Sequence, residues 1–114
     1  MANKISNMII QAFQWLKRFV KKVINGVLSF AKNVVGWFKN LNLNPNTQTP
    51  FIANANAPEL KEMIKNAPVK NVGIFEGVYN EETNEIEHAQ LIEADAVDKD
   101  TYQTLGNETL VVLN

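Results

Sequence analysis

Apolar residues in the first third of the chain recur at steps of three and four. The main series is Ile5, Ile9, Ala12, Leu16, Phe19, Val23, Val27, Phe30, Val34, Trp37 and Leu41. This spacing is typical of an amphipathic α-helix, because residues three and four apart share one face. Lysine and asparagine dominate the opposite face. The pattern predicts a long N-terminal helix within residues 1–43, about 38 residues and about 57 Å in length.

One pair of residues offers a break in this predicted helix. Asn25-Gly26 is a sequence typical of a helix end or a turn. The apolar series keeps its phase on both sides of the pair, which favours a single helix. A hairpin that closes the two apolar halves on each other at Asn25-Gly26 stays open as the alternative.

The stretch after the predicted helix has no hydrophobic period. Residues 44–57 are rich in asparagine and contain Pro45 and Pro50. Proline cannot continue a helix and favours extended backbone before it. The composition therefore predicts a linker over residues 44–57.

Residues 58–114 predict a small α+β unit. Pro58 opens a short helix over residues 59–65. Two apolar runs, 72–79 and 85–94, flank the polar residues 80–84 and predict a β-hairpin. Asp98 is placed as the N-cap of a second short helix that ends at Gly106. Residues 109–113 predict a short strand that could join the hairpin as its third member. The predicted fold class is α+β, with a cationic helix (1–43), a linker (44–57) and an acidic α+β domain (58–114).

Charge is divided unevenly along the chain, although the net charge is only −1. The first 58 residues contain seven lysine or arginine residues and no acid, whereas the rest contains four lysines and all twelve acids. Such an asymmetry indicates either an anionic partner for the basic half or pairing between the two halves.

The predicted helix is about twice as long as a compact domain of about 57 residues is wide. Much of its apolar face would therefore need a partner surface. The predicted interface residues are Phe13, Trp15, Leu16, Phe19, Val23, Val27, Phe30, Val34, Trp37 and Phe38. The basic residues predicted to meet an anionic surface are Lys17, Arg18, Lys21, Lys22, Lys32 and Lys39.

No motif in the sequence predicts catalysis, a cofactor or a metal. His88 is the only histidine, and no nucleophile or orienting acid surrounds it in a recognisable motif. Glu93, Asp95, Asp98 and Asp100 form an acidic cluster, but the cluster lacks the glycine and the terminal glutamate of a calcium loop. Cysteine is absent, which excludes disulfides and thiolate chemistry.

The sequence leads to the hypothesis of a non-enzymatic structural or assembly protein. Its helix would dock into a homo- or hetero-oligomeric assembly such as a phage or virus particle. The alternative is a peripheral membrane-binding or membrane-active protein that uses the cationic helix on anionic lipid. A nucleic-acid partner is not expected, because so broad an apolar face is unusual for a nucleic-acid-binding helix. Neither a signal peptide nor a transmembrane span is predicted, which suggests a cytoplasmic or particle-associated protein.

Overall fold

The computed structural model describes residues 4–16, 19–63 and 69–113. Its helical elements are α1 (Lys4–Ala12), a 3₁₀ turn (Phe13–Trp15), a π-helical segment (Phe30–Val35) that runs into α2 (Gly36–Lys39), α3 (Pro58–Met63) and α4 (Lys99–Leu105). Its strands are β1 (Val20–Leu28), β2 (Gln48–Asn54), β3 (Val72–Asn80), β4 (Glu85–Val97) and β5 (Leu110–Val112). The π-helical segment and α2 are called the 30–39 segment below.

The five strands form one mixed sheet in the order β1-β4-β3-β2-β5. β1 runs parallel to β4, and every other pair is antiparallel. The sheet therefore takes strands from the predicted helix, the predicted linker and the C-terminal half of the chain.

The prediction of a long N-terminal helix is wrong. Residues 4–12 are α-helical, but residues 20–28 form β1 and pair with β4 from Val20 opposite Gln90 to Leu28 opposite Val97. β-branched side chains explain the local preference, because valine and isoleucine occupy four of the nine positions of β1. Gly26 also adopts φ +130°, a backbone conformation incompatible with an α-helix, at the bulge in the pairing of β1.

The prediction of a Pro/Asn-rich linker is also wrong, because this stretch contains the internal strand β2. Phe51, Ile52 and Ala53 are fully buried there. Pro50 is accommodated in β2 opposite Val78 of β3. Its own carbonyl oxygen accepts a hydrogen bond from Leu113 N at 2.8 Å. Phe51, Ile52 and Ala53 favour a strand here despite the surrounding asparagines, because a sheet covered on both faces buries both sides of an internal strand.

Two hydrophobic cores lie on opposite faces of the sheet. The first, under α1 and α3, contains Ile9, Ala12, Phe13, Phe51, Ala53, Ala55, Leu60, Phe75, Tyr79, Leu91 and Leu110. The second, under the 30–39 segment and α4, contains Leu28, Val34, Ile52, Ile74, Ile92, Ala94 and Leu105. The predicted excess of apolar helix surface is reduced, because many of these side chains are buried in one of the two cores.

The C-terminal half contains the β3–β4 hairpin, whose strands pair from Val72 opposite Ala94 to Asn80 opposite Glu85. The last strand does not extend this hairpin as predicted, since β5 pairs with β2. α3 ends at Met63, and the remainder of the predicted helix falls outside the described residues. Asp98 caps α4 as its position predicts, with its side chain accepting a hydrogen bond from Thr101 N.

Candidate functional site

The outer side of β1 is an open sheet edge. β1 is the first strand in the sheet order, so its only sheet neighbour is β4, and no described residue pairs with its other side. The strand is nine residues long, whereas the opposite edge, β5, has three. An open edge presents unpaired backbone N–H and C=O groups that can bind another strand. β1 is thus the longer of the two edges available for strand addition.

Three valines along β1 are largely exposed. Val20, Val23 and Val27 are 64%, 59% and 59% exposed. Exposed apolar groups on a flat edge favour association, whereas lysines and bulges oppose indiscriminate pairing. β1 has both restraints, in Lys21-Lys22 and in the bulge between Ile24 and Val27. The edge therefore combines apolar contact surface with features that limit its pairing.

The two lysines of β1 have different surroundings. Lys21 Nζ lies 3.1 Å from Glu93 Oε1, and this hydrogen bond is the main cause that lowers the pKa of Glu93. Lys22 lies in register with Ile92, on the face of the sheet under the 30–39 segment. The basic and acidic halves of the chain therefore meet at Lys21–Glu93, while Lys22 takes part in a separate surface.

A cleft of about 360 Å³ lies between the 30–39 segment and the β1–β4 part of the sheet. Its walls contain Lys22, Lys32, Asn33, Gly36, Trp37, Lys39, Asn40 and Gln90. We call it the lysine cleft, because three of these eight residues are lysines and none is acidic. Two of the lysines come from the 30–39 segment and one from β1.

Hydrogen bonds at its N-terminus fix the position of the 30–39 segment. Ser29 Oγ accepts from Lys32 N at 3.2 Å, and Asn33 Oδ1 accepts from Ser29 N at 2.7 Å. Asp98 Oδ2 accepts from Phe30 N at 3.0 Å and ties the segment to the start of α4. The hydrogen bond from the Thr101 side chain, followed by that from Phe30 N, lowers the pKa of Asp98. An ionised Asp98 therefore joins the two helical N-termini.

Glu76 is buried in β3 next to the lysine cleft. Its side chain has no exposed surface, and Oε2 accepts a hydrogen bond from Gln90 Nε2 at 2.6 Å. Its other oxygen, Oε1, has no hydrogen-bond partner among the described residues. Burial raises the pKa of Glu76 to about 8, against the opposing effects of Gln90 and the charge of Lys22. Glu76 is therefore mainly protonated at neutral pH and does not neutralise Lys22.

A second, more apolar cleft of about 710 Å³ lies at the start of β1. It is lined by Phe19, Val20, Trp37, Leu41, Glu87, His88 and Ala89. Trp37 belongs to both clefts, and its ring packs edge-on against Phe38 at a centroid distance of 5.0 Å. This cleft continues the exposed apolar surface of β1 toward the beginning of the strand.

The structure divides the predicted interface residues into three groups. Phe13 and Val34 are buried in the two cores and cannot reach a partner in this fold. Leu16, Phe19, Phe30, Trp37 and Phe38 are half-buried, and all except Trp37 pack against one of the cores. Trp15, Val23 and Val27 are exposed, with Trp15 on the opposite side of the sheet from the lysine cleft.

The predicted anionic-surface residues are also divided. Lys17 and Arg18 lie outside the described residues. Lys21 pairs with Glu93, and Lys22, Lys32 and Lys39 converge on the lysine cleft. Glu76 and Gln90 were not among the residues predicted for a site. A lone glutamate inside the apolar run 72–79 was a usable signal for Glu76, because unpaired acids are rarely buried.

The residues considered for catalysis and metal binding are either exposed or engaged in other contacts. His88 is exposed. Glu93 pairs with Lys21, Asp98 caps α4, and Asp95 Oδ1 lies 3.4 Å from Asn71 Nδ2. Across residues 4–16, 19–63 and 69–113, the structure contains no group of three histidine or acidic side chains arranged to hold a metal ion.

No helix within the described parts of the chain has the length and apolar character needed to cross a membrane. Comparisons with protein-family models, with curated proteins and with solved structures found no match.

Proposed function

We propose that this chain is a non-enzymatic assembly protein that associates with a second copy of itself by pairing two β1 strands. The proposal depends on one observation: β1 has an open edge of nine residues that includes three largely exposed valines. Pairing two such edges would satisfy their backbone groups and join two five-stranded sheets into one.

The sequence of β1 permits an antiparallel register with two-fold symmetry. With Val23 of one copy opposite Val23 of the other, Lys22 faces Ile24 and Lys21 faces Asn25. No lysine then lies directly opposite another lysine, an arrangement that would be destabilising. A two-fold interface of this kind uses the same surface on both subunits. The contact area of one strand pair is small, so we expect a weak, reversible dimer.

The membrane alternative depended on one helix with an apolar face and a cationic face. That helix is absent, and those of its predicted anionic-surface residues that the structure describes lie on β1 and on the 30–39 segment. Strand pairing is therefore better supported by the geometry, and binding to lipid becomes an outcome that the experiment must separate from it.

The proposal is tested by measuring the mass of the chain in solution by analytical ultracentrifugation over a range of concentrations. We expect a concentration-dependent dimer for the natural chain. Val23→Lys should abolish the dimer, because the register places the two new lysines directly opposite each other. Tyr102→Lys is the matched control, since Tyr102 is 70% exposed on α4 and the charge change is the same.

A mixing experiment tests the register itself. Val23→Glu alone should also be monomeric, and an equimolar mixture of Val23→Glu with Val23→Lys should recover the dimer through opposite charges. A natural chain that stays monomeric at every concentration refutes the proposal, and so does a dimer unaffected by Val23→Lys. Binding of a monomeric chain to anionic phospholipid vesicles would favour the membrane alternative instead.

A further inference from the structure

The three lysines of the lysine cleft are not neutralised by neighbouring acids. Lys22, Lys32 and Lys39 form no ion pair within the part of the chain that the structure describes. Lys32 and Lys39 both line the cleft from the 30–39 segment. Lys22 approaches from β1 and completes the cleft. Three cations around one small cavity form a site of high positive potential.

Neutral hydrogen-bond donors accompany the charges. Asn33 uses its Oδ1 to accept from Ser29 N, which leaves the NH₂ group of this carboxamide as the end available to a ligand. Asn40 also lines the cleft, near the end of α2. Lysine and amide donors together suit an anion with several acceptor oxygens.

The buried carboxyl group of Glu76 does not add a negative charge beside the lysine cleft at neutral pH. Its bond from Gln90 connects it to the wall of the lysine cleft, but it is protonated at neutral pH for the reason given above. An ionised Glu76 would offset the charge of Lys22. The protonated form leaves the three lysines that line the cleft without an ionised acid in its wall.

We propose that the lysine cleft binds a phosphoryl group of a small phosphate ester or polyphosphate. A doubly charged phosphoryl group, with its several oxygens, matches three lysines better than a singly charged carboxylate does. The volume of about 360 Å³ is at the lower end of small-molecule sites, which fits a compact ligand. Trp37 forms one wall and offers an apolar surface for the organic part of an ester. The site lies on a face of the sheet, so the inference is independent of dimerisation through the outer edge of β1.

Trp37 provides a direct optical probe of the cleft. The chain has two tryptophans, and Trp15 is 76% exposed, so Trp15→Phe leaves Trp37 as the only one at little cost to the fold. Inorganic pyrophosphate is titrated into this variant at constant ionic strength, while Trp37 fluorescence and the heat of binding are recorded. We expect saturable binding in both measurements. Sodium chloride of the same ionic strength should give no saturation.

Matched lysine variants locate the site. Lys32→Gln combined with Lys39→Gln should raise the dissociation constant for pyrophosphate at least tenfold. Lys61→Gln combined with Lys99→Gln is the control, because both residues are exposed on α3 and α4 and the loss of charge is identical. Circular dichroism shows whether both double variants keep the fold.

Competition distinguishes two sources of the phosphoryl group. Displacement of pyrophosphate by AMP, but not by phosphatidylcholine vesicles containing phosphatidic acid, supports a free phosphate ester. Displacement by the vesicles supports a lipid headgroup on the same cleft. The proposal is overturned if neither fluorescence nor calorimetry shows saturable binding, or if the Lys61/Lys99 control weakens binding as much as the Lys32/Lys39 variant does.

Discussion

Replacing Glu76 with glutamine should remove most of the pH dependence of folding between pH 5 and pH 8. In the natural chain Glu76 is fully buried and its pKa is raised to about 8 from an ordinary value of 4.5. The fold therefore retains a proton that the unfolded chain releases above pH 4.5. Glutamine has nearly the same shape and cannot ionise. Its carbonyl oxygen can accept the same hydrogen bond from Gln90 Nε2.

The direction and size of the change in stability with pH follow from the raised pKa of Glu76. The folded-state pKa lies above the unfolded value, so the contribution of Glu76 to stability is fully present below pH 4.5 and is lost as the pH rises toward 8. Each pH unit in this window lowers the free energy of unfolding by about 1.4 kcal/mol. The loss is about 3 kcal/mol by pH 7, and ~5 kcal/mol over the whole window.

The assay is urea unfolding followed by circular dichroism at several pH values between 5 and 8. We expect the free energy of unfolding of the natural chain to fall across this range and that of Glu76→Gln to stay nearly constant. At pH 7 the variant should be more stable than the natural chain, with a melting temperature higher by roughly 10–20 °C. Glu82→Gln, an exposed substitution in the β3–β4 turn, is the control and should keep the natural slope.

Parallel stability curves for the natural chain and Glu76→Gln would refute the reasoning. They would mean that the Glu76 carboxyl group ionises inside the fold with an ordinary pKa, so that burial does not raise its affinity for a proton. A natural chain with constant stability between pH 5 and pH 8 would refute it equally, because the expected slope comes from Glu76 itself.

Three further predictions concern the stability of the fold. Asp98→Ala should lower the free energy of unfolding by about 2 kcal/mol, because it removes a helix cap and the hydrogen bond from Phe30 N. Chemical denaturation measures this loss. Asp100→Ala is the control and should have a much smaller effect. Gly77→Ala should cost about 1–3 kcal/mol, since a Cβ there would lie 2.7 Å from Phe51 Cζ. In Gly36→Ala the new Cβ would meet only Ala31 O, at 3.4 Å, so this substitution should instead stabilise the fold by about 0.5–1 kcal/mol. Equal effects of the two glycine substitutions on the free energy of unfolding would contradict the packing argument.

Local features of the second half of the chain could be recognised in the sequence. The polar residues 80–84 mark the turn of the hairpin, and Asp98 marks the start of α4. Both depend on backbone geometry and on hydrogen bonds between near neighbours, which the order of residue types specifies directly. Apolar residues occupy both faces of the predicted strand 72–79, and β3 is buried on both faces in the structure.

The first half could not be resolved in the same way. Residues 20–28 have both the three-and-four spacing of a helix and a high content of β-branched residues. Periodicity favoured the helix, but pairing with β4, about 70 residues later in the chain, made the strand the stable state. The same long-range pairing turned residues 48–54 into an internal strand.

The sequence by itself determined the distribution of charge, the turn and cap residues, and the absence of cysteine chemistry. Only the tertiary structure decided which residues stand at the open edge, which lysines meet in one cleft, and why Glu76 keeps its proton. The physical reason is that strand pairing, burial and local potential depend on residues far apart in the chain. A local pattern constrains such contacts without specifying them.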